Sequence, residues 1–125
     1  MQDRRRCHRL NIELPASYQA QGNQGSLTVA STLDLSATGI CLRSRDKLHQ
    51  GQKLPVQVTL PAGEKILIHV EVIWVQEIYE ASPTEFKIGL KIDEPLKADE
   101  SKFVRFYASQ LLEFFKENPQ ANRPS

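Results

Sequence analysis

The chain has 125 residues, a length that fits one domain, and 40% apolar with 25% charged residues exclude a disordered or fibrous class. A net charge of +1 excludes a partner held by the overall field, so any anion site must be local. No apolar run is long enough to span a bilayer, and the arginine-rich start at residues 4–9 leads into no apolar segment, which argues against a signal peptide and for a cytoplasmic protein without membrane insertion.

Taken from the N-terminus, Arg4, Arg5, Arg6 and Arg9 gather most of the local positive charge, with Asp3 alone against them. Guanidinium groups stay charged, present forked donors to phosphate oxygens and stack on bases, so this arm suits phosphates, although a basic N-terminal stretch is more often a solvated tail. Residues 11–20 read as a strand, followed by a second at 26–35.

The second strand ends in Asp34-Leu35-Ser36-Ala37-Thr38-Gly39, and a further apolar strand occupies 40–43. In isolation the hexapeptide is a turn: Asp34 and Ser36 can satisfy turn amides, and Gly39 can take a positive φ. The same residue types also fit a guanine nucleotide. A carboxylate accepts from the N1 and N2 hydrogens of guanine, a hydroxyl bonds phosphate or base, and a glycine permits close approach to the backbone.

Leu54, Val56, Val58 and Leu60 alternate with polar residues, Pro55 marking an edge or strand start, and Pro61-Ala62-Gly63 supplies a turn. Residues 66–75 then form the expected central strand, with Ile66, Ile68, Val70, Val72 and Trp74 on one face. That phase favours a core position for Trp74. Phe86, Ile88, Leu90 and Ile92 give the last strand. Six short strands with tight connections predict a mainly β fold, an antiparallel barrel.

After Pro95 the period becomes helical, with Phe103, Tyr107, Leu111 and Phe114 on one face, Asp99 as N-cap, and Asn118-Pro119 as the stop. The expected organisation is a flexible arginine-rich arm over residues 1–9 that would bind ligand, a barrel over 10–97, a C-terminal helix over 98–118 and a disordered tail over 119–125.

His8, His49 and His69 have no partners at metal-ligand spacing, and Cys7 and Cys41 form no CxxC pair, so neither metal nor disulfide is expected. No nucleophile elbow or phosphate loop is present, which leaves catalysis without a motif.

Arg5 and Arg9 as an RxxxR segment, followed in order by Asp34, Ser36 and Gly39 as a DxSxxG segment, resemble the PilZ family of cyclic di-GMP receptors. The resemblance runs over roughly residues 4–95. It includes Gly51-Gln52-Lys53, Val70-Glu71-Val72-Ile73-Trp74-Val75 and Lys87-Ile88-Gly89-Leu90. It implies a six-stranded antiparallel PilZ-type β-barrel with a C-terminal α-helix, a cyclic di-GMP ligand and a protein partner downstream, with no enzyme activity. Arg5 and Arg9 would hold phosphate and guanine, Arg4 and Arg6 would assist, and Asp34, Ser36 and Gly39 would form the floor. An aromatic near Trp74 can border the nucleotide in similar proteins. Arg4, directly before the RxxxR segment, further implies two nucleotides per chain. The rival readings are an adaptor of this fold that binds no nucleotide, and a small barrel that binds nucleic acid through its basic arm.

Overall fold

Alternating apolar residues bury one face of each strand, and six such faces turned inward close a sheet on itself. The structure, a computed structural model, describes residues 9–19 and 27–122. The strands are β1 (Pro15–Tyr18), β2 (Thr28–Leu35), β3 (Gly39–Ser44), β4 (Lys53–Thr59), β5 (Lys65–Ile78) and β6 (Glu85–Ile92), followed by helix α1 (Ala98–Glu117). They form a closed antiparallel barrel in the order β1-β2-β3-β6-β5-β4, the mainly β architecture that the sequence implies.

Val56, Val58, Ile68, Val70, Val72, Leu42 and Ile88 are completely buried in the interior. Tyr18 joins them with its hydroxyl 2.6 Å from Ser44 Oγ, which satisfies a polar group that the core would otherwise strand. Pro55 lies within β4 rather than at its start. It is tolerated because β4 meets β1 only at Gln57 and Val58, so Pro55 owes no N–H to a second neighbour. The β4–β5 turn closes through Leu60 and Glu64, with Gly63 at φ 99°.

The helix seals the barrel with Phe103 and Tyr107, while Leu111 and Phe114 pack partly against the core. Its N-cap is Lys97 rather than Asp99. The reason lies in β5, whose residues before Val70 pair with β4 but not with β6, leaving edge amides to satisfy. Asp99 accepts the Leu67 N–H at 2.7 Å, and Glu100 accepts those of His69 and Lys97 at 2.6 and 3.1 Å. The first-turn carboxylates thus bind the sheet edge as well as the helix start. Beyond Asn118, where the sequence reads as a tail, the chain makes a 3-10 turn, Pro119–Asn122.

Trp74 departs from the core position that its phase favours: it is 42% exposed. Val72 pairs with Leu90 and Trp74 with Gly89, so Ile73 is an extra residue and a β-bulge turns Trp74 outward.

Candidate ligand-binding groove

A second bulge makes the site. Thr32 pairs with Leu42 and Asp34 with Cys41, so Leu33 is extra and Asp34 is turned to the outer face. Both bulges fall on one row of the sheet, which reads Asp34, Cys41, Gly89, Trp74 across β2, β3, β6 and β5. At the spacing of neighbouring strands, roughly 14 Å of surface separates its ends. The middle of the row carries a thiol and a hydrogen, the ends a carboxylate and an indole, so it forms a floor between two walls.

The next outward row reads Ser31, Arg43, Lys87, Gln76. Arg43 is paired with Glu85, whereas Lys87 and Gln76 line the groove. Its full lining is Arg9, Asn11, Leu33, Asp34, Cys41, Trp74, Gln76 and Lys87, around a cavity of about 550 Å³.

Arg9 reaches this groove because the chain beside it is fixed. Leu10 and Leu35 exchange backbone hydrogen bonds at 2.8 and 2.9 Å, and Thr32 Oγ1 accepts the Leu14 N–H while donating to the Ile12 carbonyl. Arg9 Nη1 then lies 2.8 Å from Asp34 Oδ1. Arg4, Arg5 and Arg6 lie outside the described residues.

Ser36 and Gly39 close the β2–β3 turn beyond Asp34 and Cys41 rather than lining the groove. Ser36 is buried, and its Oγ accepts the Gly39 N–H at 3.0 Å and that of Thr38 at 3.3 Å. Gly39 has no positive φ; the two described glycines that do are Gly51 and Gly63. A Cβ at Gly39 would instead meet the Leu90 carbonyl oxygen at 2.6 Å, so glycine is needed where β3 begins its pairing with β6.

Cys41 is almost fully buried, and burial, followed by the nearby Asp34 carboxylate, pushes its thiol pKa up, which keeps it protonated and unreactive. The described residues contain no group of His, Cys, Asp and Glu able to hold a metal ion, and no helix among them is long and apolar enough to cross a membrane. The groove therefore offers a carboxylate, cations and an aromatic face, the set that grips a nucleotide by hydrogen bonding, charge and stacking.

Asn11, Leu33, Cys41, Gln76, Lys87 and Gly89 were not singled out by the motifs as site residues. On the outer face of strands they look like ordinary solvent-side positions, and only the register gathers them.

The family model for the PilZ domain matches residues 3–109. No curated protein matches the sequence. Among solved structures, the PilZ domain of YcgR from Escherichia coli with c-di-GMP is similar at 16% identity and a TM-score of 0.70, covering 92% of this chain and 97% of that one. The MrkH–c-di-GMP complex from K. pneumonia matches at 18% identity and a TM-score of 0.73, over 93% of this chain and 56% of MrkH. The Bacillus subtilis inhibitor of motility MotI matches at 19% identity and a TM-score of 0.67, over 89% and 52%. The chain spans about half the length of these two longer relatives.

Proposed function

The chain belongs to the PilZ domain family, and on that premise we propose that it is a non-catalytic receptor for cyclic di-GMP that changes conformation on binding and signals to a protein partner. The observation that carries this reading is the Arg9–Asp34 pair at one wall of a groove whose other wall is the indole of Trp74. Structures of YcgR and MrkH with c-di-GMP on the same fold support it.

Arg5 and Arg9 hold phosphate and guanine, with Arg4 and Arg6 adding charge. Asp34 accepts from the guanine N1 and N2 hydrogens, and Trp74 borders a base. Ser36 and Gly39 act by fixing the turn that follows Asp34. Two cyclic di-GMP molecules bind per chain, since stacked dinucleotides bring four phosphate charges together and the arm supplies guanidinium groups to meet them. The protein works in the cytoplasm, neither inserting into membrane nor reading nucleic acid.

Calorimetry of the full chain with cyclic di-GMP and, separately, with single-stranded oligonucleotides tests the reading. Saturable heat with the first alone is expected. Binding only to oligonucleotides would replace it with a nucleic-acid role, and heat with neither would leave a fold used as an adaptor.

A further inference from the structure

Gly89 sits in the interior of β6, where glycine is less stable than alanine because it has more backbone freedom to lose. Its φ is not positive, so the conformational freedom of glycine is not what the position uses. What it supplies is space. A Cβ at Gly89 would fall 2.3 Å from Nε1 and Cε2 of Trp74 and 2.8 Å from Cδ1, closer than atoms can approach. The five-membered ring of the indole therefore rests directly on the β6 main chain.

Gly89 is buried beneath this ring while Trp74 is 42% exposed, so one face of the indole is spent on the backbone and the rest is open to the groove. The bulge at Ile73 aims the side chain outward, and the missing Cβ lets it lie down. Any larger residue at Gly89 would lift the ring off the sheet and into the space between it and Asp34.

We propose that Gly89 is a positioning residue that lays the Trp74 indole down as a stacking platform for a guanine of bound cyclic di-GMP. The proposal rests on the receptor reading above and adds that the affinity depends on a residue that need not touch the ligand. Stacking on an aromatic is tolerant of base identity but demands a free, correctly tilted face. Gly89 sets that tilt.

Trp74 is the only tryptophan, so fluorescence reports this ring alone. The test compares the 125-residue chain with its Gly89→Ala, Trp74→Leu and double variants, using cyclic di-GMP as the probe. Nucleotide should quench the emission of the unmodified protein. Gly89→Ala should increase acrylamide quenching without nucleotide and weaken binding about tenfold, and Trp74→Leu should weaken it comparably. In the Trp74→Leu background, Gly89→Ala should then change affinity by less than about twofold, because the ring through which it acts is gone.

Emission unaltered by saturating nucleotide, full affinity in Gly89→Ala, or an equal loss from Gly89→Ala with and without the indole would each overturn the proposal. If Gly89→Ala fails to fold, Trp74→Phe decides: it should retain most of the affinity that Trp74→Leu loses, and equal losses would overturn the platform. No binding by the unmodified protein would instead remove the receptor reading, and this proposal with it.

Discussion

Arg9 Nη1 and Asp34 Oδ1 meet at 2.8 Å on the outer face of the barrel, joining residues separated by all of β1 and most of β2. The pair is held by its surroundings: Leu10 is bridged to Leu35, and the extra residue Leu33 turns Asp34 outward. Arg9 is thus stationed beside the carboxylate before any ligand arrives. Partly exposed pairs of this kind contribute little to folding, up to about 1 kcal/mol.

Arg9→Ala and Asp34→Ala should each weaken cyclic di-GMP binding at least about tenfold, through loss of charge-assisted contacts worth about 1.5–3 kcal/mol, with unfolding midpoints nearly unchanged. The double variant should lose less than the sum, since each residue orients the other. Calorimetry on the four proteins measures this, and unchanged affinity in both single variants would refute the site. Lys116→Ala, on the exposed last turn of α1, should have no effect.

Titration well above the dissociation constant should saturate at two cyclic di-GMP molecules per chain. Arg4→Leu should shift it toward one, and affinity should fall as salt rises, because Arg9 and Lys87 at the groove are exposed to solvent. Saturation of the unmodified protein at one equivalent would disprove the stoichiometry and leave the receptor reading standing.

Glu100 is 1% exposed, yet its carboxylate holds the N–H groups of His69 and Lys97 and lies 2.9 Å from His69 Nδ1. Burial raises its pKa, but the donors from His69, from its own backbone and from Lys97 outweigh that, and the net shift is downward from 4.5. A depressed pKa in the folded state adds stability above the unfolded value, and that stability is lost as pH falls through the folded value. Glu100→Gln should therefore cost about 1–3 kcal/mol near neutral pH, and the deficit should shrink as pH drops below the ordinary glutamate range. Urea unfolding of both proteins at about pH 7 and about pH 3 checks it; a deficit of constant size would contradict the assignment.

Gly39→Ala places a methyl 2.6 Å from the Leu90 carbonyl oxygen, and the backbone must move apart. A loss of about 1–3 kcal/mol in urea unfolding is expected. An unchanged midpoint would mean that glycine is present at Gly39 for the ligand rather than for the close pairing of β3 with β6.

Strand phase was legible where strands run without interruption. Leu54, Val56 and Val58, then Ile66, Ile68, Val70 and Val72, then Ile88, Leu90 and Ile92 all point inward as their alternation predicts. The helical face was read from Phe103 and Tyr107, both buried. Trp74 was misplaced by the same alternation, because nothing in the composition of Val72-Ile73-Trp74 marks the extra residue. Asp99 looked like a cap because capping preference is local, whereas its carboxylate serves Leu67 across the sheet. Lys87, Gln76 and Gly89 gain meaning only from register, a property of strand pairs that no single segment contains. Arg9 and Asp34 were found through a motif, and their contact through the fold.

The paired bulges make the polarity of the groove a matter of strand pairing as well as of residue identity. If Leu33 and Ile73 followed plain alternation instead of bulging, Asp34 and Trp74, each two residues beyond the inward-facing Thr32 and Val72, would point toward the interior. An aspartate forced into that apolar space would carry a large desolvation cost, while a tryptophan would overfill a closed barrel. The outward presentation of Asp34 and Trp74 therefore depends on where β2 and β5 bulge as well as on which residues they carry.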